Sequence, residues 1–287
     1  GGMGAGGGIF VHRGNLTAVN STFTANTAQG GSAGVNRASN NKDGGDGGSG
    51  FGGAIFGLNS KISLTNCTLA YNAAHGGGGN NSGLADGSDV YSLAYRAATT
   101  DVTLRNSILA NSSQGTSNLV NRDLSTQSAN LNFIGANLIG DWNNQGGTAS
   151  GAPTVVFDPL LGALSNNGGP TPTMPLLKGS PAIAAGDPAD CSNAPVSGVD
   201  QRGLPRATCD IGAWQTQPEP PAPPPDMTGP GAGADADNGR ATGGGFTCSA
   251  SGSSSTKQSS GLFSLTALVI GIGALLRRRR APFKNNN

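Results

Sequence analysis

The sequence predicts an all-β fold: a right-handed parallel β-helix followed by a C-terminal cap, a Pro-rich linker and a C-terminal hydrophobic helix. Three observations predict it. A unit recurs along the chain with one constant internal register, each unit has the two-residue period of a strand, and the composition suits short stacked strands better than a conventional core. Gly numbers 49 and Pro 17, while only 11% of residues are charged and 5% aromatic. Disordered chains are commonly rich in charge, and a conventional core needs more large apolar side chains. Short strands joined by Gly and Asn turns need neither.

The repeat is read first. Gly6-Gly-Gly-Ile-Phe-Val11 precedes Asn15-Leu-Thr-Ala-Val-Asn-Ser-Thr-Phe-Thr-Ala-Asn26, and Gly52-Gly-Ala-Ile-Phe-Gly57 precedes Lys61-Ile-Ser-Leu-Thr-Asn-Cys-Thr-Leu-Ala-Tyr-Asn72. Ile62 falls as far after Leu16 as Asn66 after Asn20 and Asn72 after Asn26. Asp101-Val-Thr-Leu-Arg-Asn-Ser-Ile-Leu-Ala-Asn111 keeps that register through Leu109, then puts Ser112 where Asn72 stood. Leu131 to Gly140 reads as a weaker fourth unit.

Within a unit, Ile62, Leu64 and Asn66 alternate with Ser63 and Thr65, the period of a strand. No 3.6-residue stripe persists. The phase slips before Leu69, as expected where a strand turns a corner. Gly52-Gly53 permits positive φ and close backbone approach at another corner. One such rung cannot bury its own apolar face, but stacked rungs pair as parallel strands about 4.8 Å apart. Ile9/Ile55 and Leu16/Ile62/Val102 then form apolar ladders. Asn20, Asn66 and Asn106 are expected to form an amide ladder, each side chain donating to the next. A plain turn role for these Asn is the alternative; their fixed offset favours the ladder. The Gly-rich stretches Ala28 to Gly50 and His75 to Gly87 read as long loops.

The repeats occupy 1–157, and the chain opens at Gly1 inside a unit, so an N-terminal part is expected to precede it. Residues 158–215 are turn-rich and are expected to cap the coil, which would otherwise expose an unpaired edge. Residues 216–245 form a Pro/Gly-rich linker, with Pro218 to Pro225 extended as polyproline II. Residues 246–287 read as a sorting or anchor signal with a membrane span at 259–276. Gly261 to Leu276 would give roughly 24 Å of helix at ~1.5 Å per residue, short of a ~30 Å hydrocarbon core. Arg277, Arg278, Arg279 and Arg280 would stay on the cytoplasmic side.

Cys67, Cys191, Cys209 and Cys248 lack the close pairing of a zinc site. Cys191 and Cys209 share one Pro/Gly-rich segment and are the disulfide candidates, which would suit an oxidising compartment; free thiols are the alternative.

Several of these motifs resemble known families. Gly52-Gly-Ala-Ile55, Phe23-Thr-Ala-Asn26 and Leu69-Ala-Tyr-Asn72 resemble the GGAI and FxxN repeats of polymorphic outer-membrane proteins, with Leu69 in place of Phe. Asp158-Pro-Leu-Leu-Gly162, Asn167-Gly-Gly-Pro-Thr-Pro-Thr173, Gly179-Ser-Pro-Ala-Ile183, Asp200-Gln-Arg-Gly203 and Cys209-Asp-Ile-Gly-Ala213 look like the choice-of-anchor Q domain. Cys248, the polar spacer, the apolar span and the Arg run are similar to sorting signals of the myxosortase type. The resemblance implies a bacterial protein, exported and anchored at the cell surface. Its implied partners are the membrane, a sorting protease that processes near Cys248, and surface glycans or proteins.

Catalytic chemistry is sparse in the motifs. No catalytic, cofactor-binding or metal residue is assigned. Asp43 and Asp46 could share a Ca²⁺, but no further ligand pattern follows and a solvated loop is expected. Asp86 and Asp89 lie in or beside the second Gly-rich stretch. His12 and His75 sit in different repeat contexts, and no Gly-x-Ser-x-Gly elbow accompanies them. Asp200, Arg202 and Asp210 are expected to pair, or to bond backbone, and so lock the cap; a sugar-contacting site is the alternative. Sequons at Asn15, Asn20, Asn66 and Asn111 fit the Asn/Thr grammar of the rungs better than glycans. The net charge is +1 and no basic stripe exists outside Arg277–Arg280, which argues against nucleic acid. The expected function is surface display for adhesion or envelope interaction. The alternative is a polysaccharide lyase or hydrolase whose active site lies in preceding rungs.

Overall fold

The alternation of Ile62, Ser63 and Leu64 becomes the wall of a parallel β-helix. The computed structural model describes residues 1–34, 44–112, 116–126 and 128–218, all within one compact unit, Gly1–Pro223. Cys248, the 259–276 span, Arg277–Arg280, Asp43 and nearly all of the linker lie outside the described residues.

Three five-stranded parallel sheets form the coil. The first holds Ile9–His12, Ile55–Leu58, Val90–Ala94, Leu119–Asp123 and Trp142–Gln145. The second holds Asn15–Val19, Lys61–Thr65, Thr100–Arg105, Ala129–Ile134 and Thr148–Ser150. The third holds Thr22–Thr24, Thr68–Ala70, Ile108–Ala110, Leu138–Ile139 and Thr154–Val155. Each turn of the chain contributes one strand to each sheet. The coils shorten along the chain: Leu16 pairs with Ile62, Ile62 with Val102, Val102 with Leu131 and Leu131 with Ala149.

Registered pairing turns the sequence pattern into interior ladders. Ile9, Ile55, Val90, Leu119 and Trp142 stack in one; Ala18, Leu64, Leu104 and Phe133 in another. Leu64 and Leu104 are fully buried, each stabilising the fold by about 1.5–3 kcal/mol. On the face of the first sheet away from these ladders, Phe10, Phe56 and Tyr91 stack with centroids 5.4 and 5.6 Å apart and rings nearly parallel.

The described parts of the Gly-rich stretches depart from expectation. Thr27–Gln29 pairs with Ala73–His75, and Gly50–Phe51 pairs with both Gly4–Ala5 and Ala85–Asp86. Between these strands, extended glycine backbones bond one another. Gly83 N donates to Gly77 O, Gly77 N to Gly48 O, Gly48 N to Gly31 O and Gly31 N to Gly2 O, at 2.8–2.9 Å. A Cβ on Gly48 would lie 1.9 Å from Gly2 O, and one on Gly83 1.9 Å from Gly48 O. Only glycine fits such a layer, as at the axis of a collagen triple helix. The glycines are a packing requirement here and not merely a loop composition.

Residues 158–218 also depart from expectation. They do not cover the last coil, whose strands Thr148–Ser150 and Thr154–Val155 are exposed. They form a strap over the third sheet, where Leu161, Met174, Ala182 and Ile211 pack with Ala70, Ile108, Ala110 and Leu138, and along the Asn corner beside it. Gln201 accepts from Thr22 Oγ1 at 2.6 Å, Ala213 N donates to Thr68 Oγ1 at 3.0 Å, and Gly212 N donates to Asn106 O at 2.8 Å.

The strap also overturns the amide ladder. Asn20, Asn66 and Asn106 do stack at one corner, each with positive φ (47°, 50° and 43°), but their side chains do not bond each other. Asn20 Nδ2 donates to Val199 O, Asn66 Nδ2 to Asp210 O and Gly212 O, and Asn106 Nδ2 to Asp187 O. The strap has little regular structure, so its buried carbonyls need outside donors, and the corner amides supply them. Side-chain amide stacking occurs elsewhere: Asn26 Nδ2 donates to Asn72 Oδ1 at 2.9 Å inside the next corner.

Candidate functional site

The strap is held by a buried polar cluster. Asp200 Oδ2 accepts from Arg202 Nε and Nη2 at 2.8 and 2.7 Å and from Gln215 N at 3.1 Å. Arg202 Nη2 also donates to Gln215 O at 2.6 Å, and its guanidinium lies 3.3 Å from the Trp214 ring centroid. Asp210 accepts from Ala184 N and Thr216 N. Every one of these partners belongs to the strap, so Asp200, Arg202 and Asp210 act as a lock. Arg206 reaches across to the coil, donating to Asn20 Oδ1 at 3.0 Å, and within the strap it donates to Gly212 O at 2.9 Å. Burial lowers its pKa to about 10, against Asp200 and Asp210, which raise it.

Cys191 and Cys209 are joined by a disulfide with a Cα–Cα distance of 5.9 Å. It sits over the Asn106 corner, where Asn106 Nδ2 lies 3.4 Å from Cys209 Sγ and Asp187 N donates to Asn106 Oδ1 at 2.9 Å. Cys67 is a free thiol in the core, and burial raises its pKa to about 12. A thiol so held is inert. His12 and His75 are both exposed, on strands of different sheets. Asp46 accepts from Asn81 Nδ2 at 2.9 Å. Among the described residues no group of three His, Cys, Asp or Glu could hold a metal ion.

Asp89 is the surprise among the acidic residues. It does not face solvent beside a loop but is fully buried between coils. Asn72 Nδ2 and Ser112 Oγ donate to its Oδ1 at 2.8 and 2.6 Å, and Asn118 Nδ2 donates to its Oδ2 at 2.7 Å. Ser112 therefore stands in for the missing third Asn: its Oγ accepts from Asn72 N, as Asn72 Oδ1 accepts from Asn26 N. Burial pushes the Asp89 carboxyl up to about 7, and the Ser112, Asn72 and Asn118 donors only partly offset this. Nearby, burial also raises the Tyr91 phenol, with Arg122 opposing.

Ser112 and Asn118 form the floor of a cleft of about 1070 Å³. One wall is the coil corner that carries Tyr71, Asn111 and Asp141; the other is the start of the strap, with Phe157, Asp158 and Leu177. The rings are open to solvent: Tyr71 is 49% exposed and Phe157 79%. Asn111 Nδ2 donates to Tyr71 Oη at 3.4 Å. Asp141 Oδ2 accepts from Ser117 Oγ at 2.9 Å, and Asp158 Oδ1 from Leu160 N at 2.9 Å. Among the described residues, the other oxygen of each carboxylate has no donor. Among the described residues, no Lys, Arg or His lines the cleft. A smaller cavity of about 380 Å³ lies over the stacked rings of the first sheet, rimmed by Phe10, Leu84 and Leu124.

The structure brings Asn66, Asn106, Cys191 and Cys209 to one place, whereas the sequence sets the Asn row and the cysteine pair apart and gives no sign of the cleft. Tyr71 carried the available signal, because it replaces the Ala25 of the preceding unit at a corner position. Asp141 and Phe157 carry no sequence signal: the stacking of coils of unequal length puts Asp141 at the Tyr71 corner, and the course of the chain into the strap brings Phe157 there.

No protein-family model, curated protein or solved structure matches the chain.

Proposed function

We propose that this chain is a cell-surface-displayed bacterial β-helix protein, exported, anchored through its C-terminus and acting in adhesion or envelope interaction. In this reading the coil is right-handed, as parallel crossovers within one sheet are in about 98% of cases. The strap region belongs with choice-of-anchor Q domains, the linker is a stalk, and Cys248 with the 259–276 span and Arg277–Arg280 is a sorting signal read by a processing protease. The partners are the membrane and surface glycans or proteins.

The observation that carries this reading is the Cys191–Cys209 disulfide, buried against the coil corner. Such bonds form and persist in oxidising compartments and are rare in cytosolic proteins. A stiff coil on a stalk also suits binding by many weak contacts, whose effect multiplies when several copies engage at once.

The test is fractionation of cells expressing the full chain with a tag between the linker and Cys248, beside Cys248→Ala. The expected result is a surface-accessible chain shortened near Cys248, and an unshortened Cys248→Ala variant. If both are uncleaved and inaccessible to external protease, the display reading is wrong.

A further inference from the structure

We propose that the cleft between the Tyr71 corner and the start of the strap binds an uncharged oligosaccharide of pyranose rings. The proposal deepens the display reading and rests on it for its setting. Four features of the cleft specify the ligand.

Size comes first: about 1070 Å³ accommodates several sugar units and is at the upper end for small-molecule sites. Second, Tyr71 and Phe157 line the cleft with their side chains exposed to solvent. A sugar ring presents C–H groups on its face and hydroxyls on its edge, so it needs an apolar platform beside polar acceptors. Aromatic side chains supply such a surface at low cost in conformational entropy. Third, the acceptors are present. Asp141 and Asp158 each have one oxygen held by the protein and one open to a ligand hydroxyl, and charge-assisted bonds of that kind are the stronger class. Fourth, carboxylates with no basic partner among the described lining residues repel uronates and sulfated sugars. Such repulsion selects by exclusion as well as by attraction.

The backbone supplies an independent argument. Ala25, Tyr71 and Asn111 occupy equivalent corner positions with φ of 56°, 58° and 54°. Left-handed backbone is unfavourable for a bulky residue, and the preceding coil uses Ala there. A tyrosine held in that conformation, half-exposed and facing the cleft, is strain of the kind found at ligand sites.

Titration calorimetry on the full chain tests the proposal. The probes are the hexamers of β-1,4-glucose, β-1,3-glucose, β-1,4-mannose and β-1,4-N-acetylglucosamine, with polygalacturonate as the acidic comparison. Tyr71→Ala restores the residue type of the preceding corner, and Phe157→Ala removes an exposed ring, so both should keep the wild-type melting midpoint. The expected result is that at least one uncharged hexamer binds and polygalacturonate does not. Each of the two variants should then weaken binding about tenfold or more, and Leu124→Ala, in the other cavity, should not. Failure of all four hexamers, equal binding of polygalacturonate, or indifference to both ring replacements overturns the proposal. Surface accessibility of the same proteins is a separate readout. A displayed chain that ignores every sugar sinks the cleft alone; a sugar-binding chain that never reaches the surface sinks the display reading alone.

Discussion

Two adjacent glycines of one run, Gly77 and Gly78, should respond in opposite ways to the same substitution. A Cβ on Gly77 would lie 2.0 Å from Gly31 O, 2.4 Å from Gly31 C and 2.8 Å from Gly30 O, whereas one on Gly78 meets nothing within 4 Å. Ordinary contact begins near 3.4 Å, so Gly77→Ala must displace the neighbouring backbone by more than an ångström. That backbone accepts from Gly48 N and donates to Gly2 O. Overpacking costs about 1–3 kcal/mol, and two weakened backbone hydrogen bonds add about 1 kcal/mol each. The sum is roughly 3–5 kcal/mol, which for a domain of this size lowers the melting midpoint by roughly 10 °C. Gly78 has no positive φ, so Gly78→Ala should leave stability unchanged or raise it by about 0.4–1 kcal/mol through the unfolded chain. Thermal melts of the two variants beside wild type are sufficient. Similar midpoints for both would refute the packed glycine layer and return these stretches to solvated loops.

Asp89 should make stability fall as pH rises. Its folded value of about 7 lies above the ~3.9 of an unfolded aspartate, so between about pH 4 and pH 7 the folded state holds a proton that the unfolded state has lost. The group's contribution is therefore greatest below about pH 4, declines through that interval and is level above pH 7. Unfolding free energies from urea titrations at about pH 5 and about pH 8 should differ by roughly 2–3 kcal/mol in wild type and lose most of that difference in Asp89→Asn; an unchanged pH dependence in the variant would refute the assignment. Replacing both Cys191 and Cys209 by Ser opens a loop of sequence separation 18 and should cost about 3 kcal/mol. Hydrogen exchange should show the strap at 182–213 loosening before the coil, and uniform loosening would contradict a strap that sits outside the coil.

The coil was legible because its information is local and periodic. Ile62 and Leu64 alternate with Ser63 and Thr65, and the register of Leu16, Ile62 and Val102 predicted from spacing is the pairing found. The first sheet's later strands were harder to read. Val90–Ala94 and Leu119–Asp123 follow insertions of different length, so no constant offset marks them. Gly48 and Gly77 were read as loop because a glycine run looks the same whether it is solvated or packed; the difference lies in which backbone sits beside it. The strap was placed at the end of the coil because its turn-rich sequence carries no direction. Its course is set by pairs far apart in the chain, such as Arg206 with Asn20. The cleft follows from that course and was invisible for the same reason.

The two rows of left-handed corner residues show how the outside of the coil decides what its corners carry. In the row beneath the strap, the residue must accept positive φ and also satisfy strap carbonyls. Asn does both, since its short amide tolerates that backbone and donates, and Asn20, Asn66 and Asn106 fill the first three places. In the fourth place the strap runs closer: a Cβ on Gly135 would lie 2.9 Å from Asp190 Oδ2, and Gly replaces Asn. The other row, Ala25, Tyr71 and Asn111, has no strap above its first members, and nothing there requires an amide. Where packing imposes no choice, the smallest strain would be met by Gly or Asn. The chain instead places a tyrosine at Tyr71, at a φ of 58° and at the edge of the cleft. The residue that the coil needs least thus lines the cleft, between a carboxylate on its own wall and one on the wall opposite, which is where the ligand proposed above would use it.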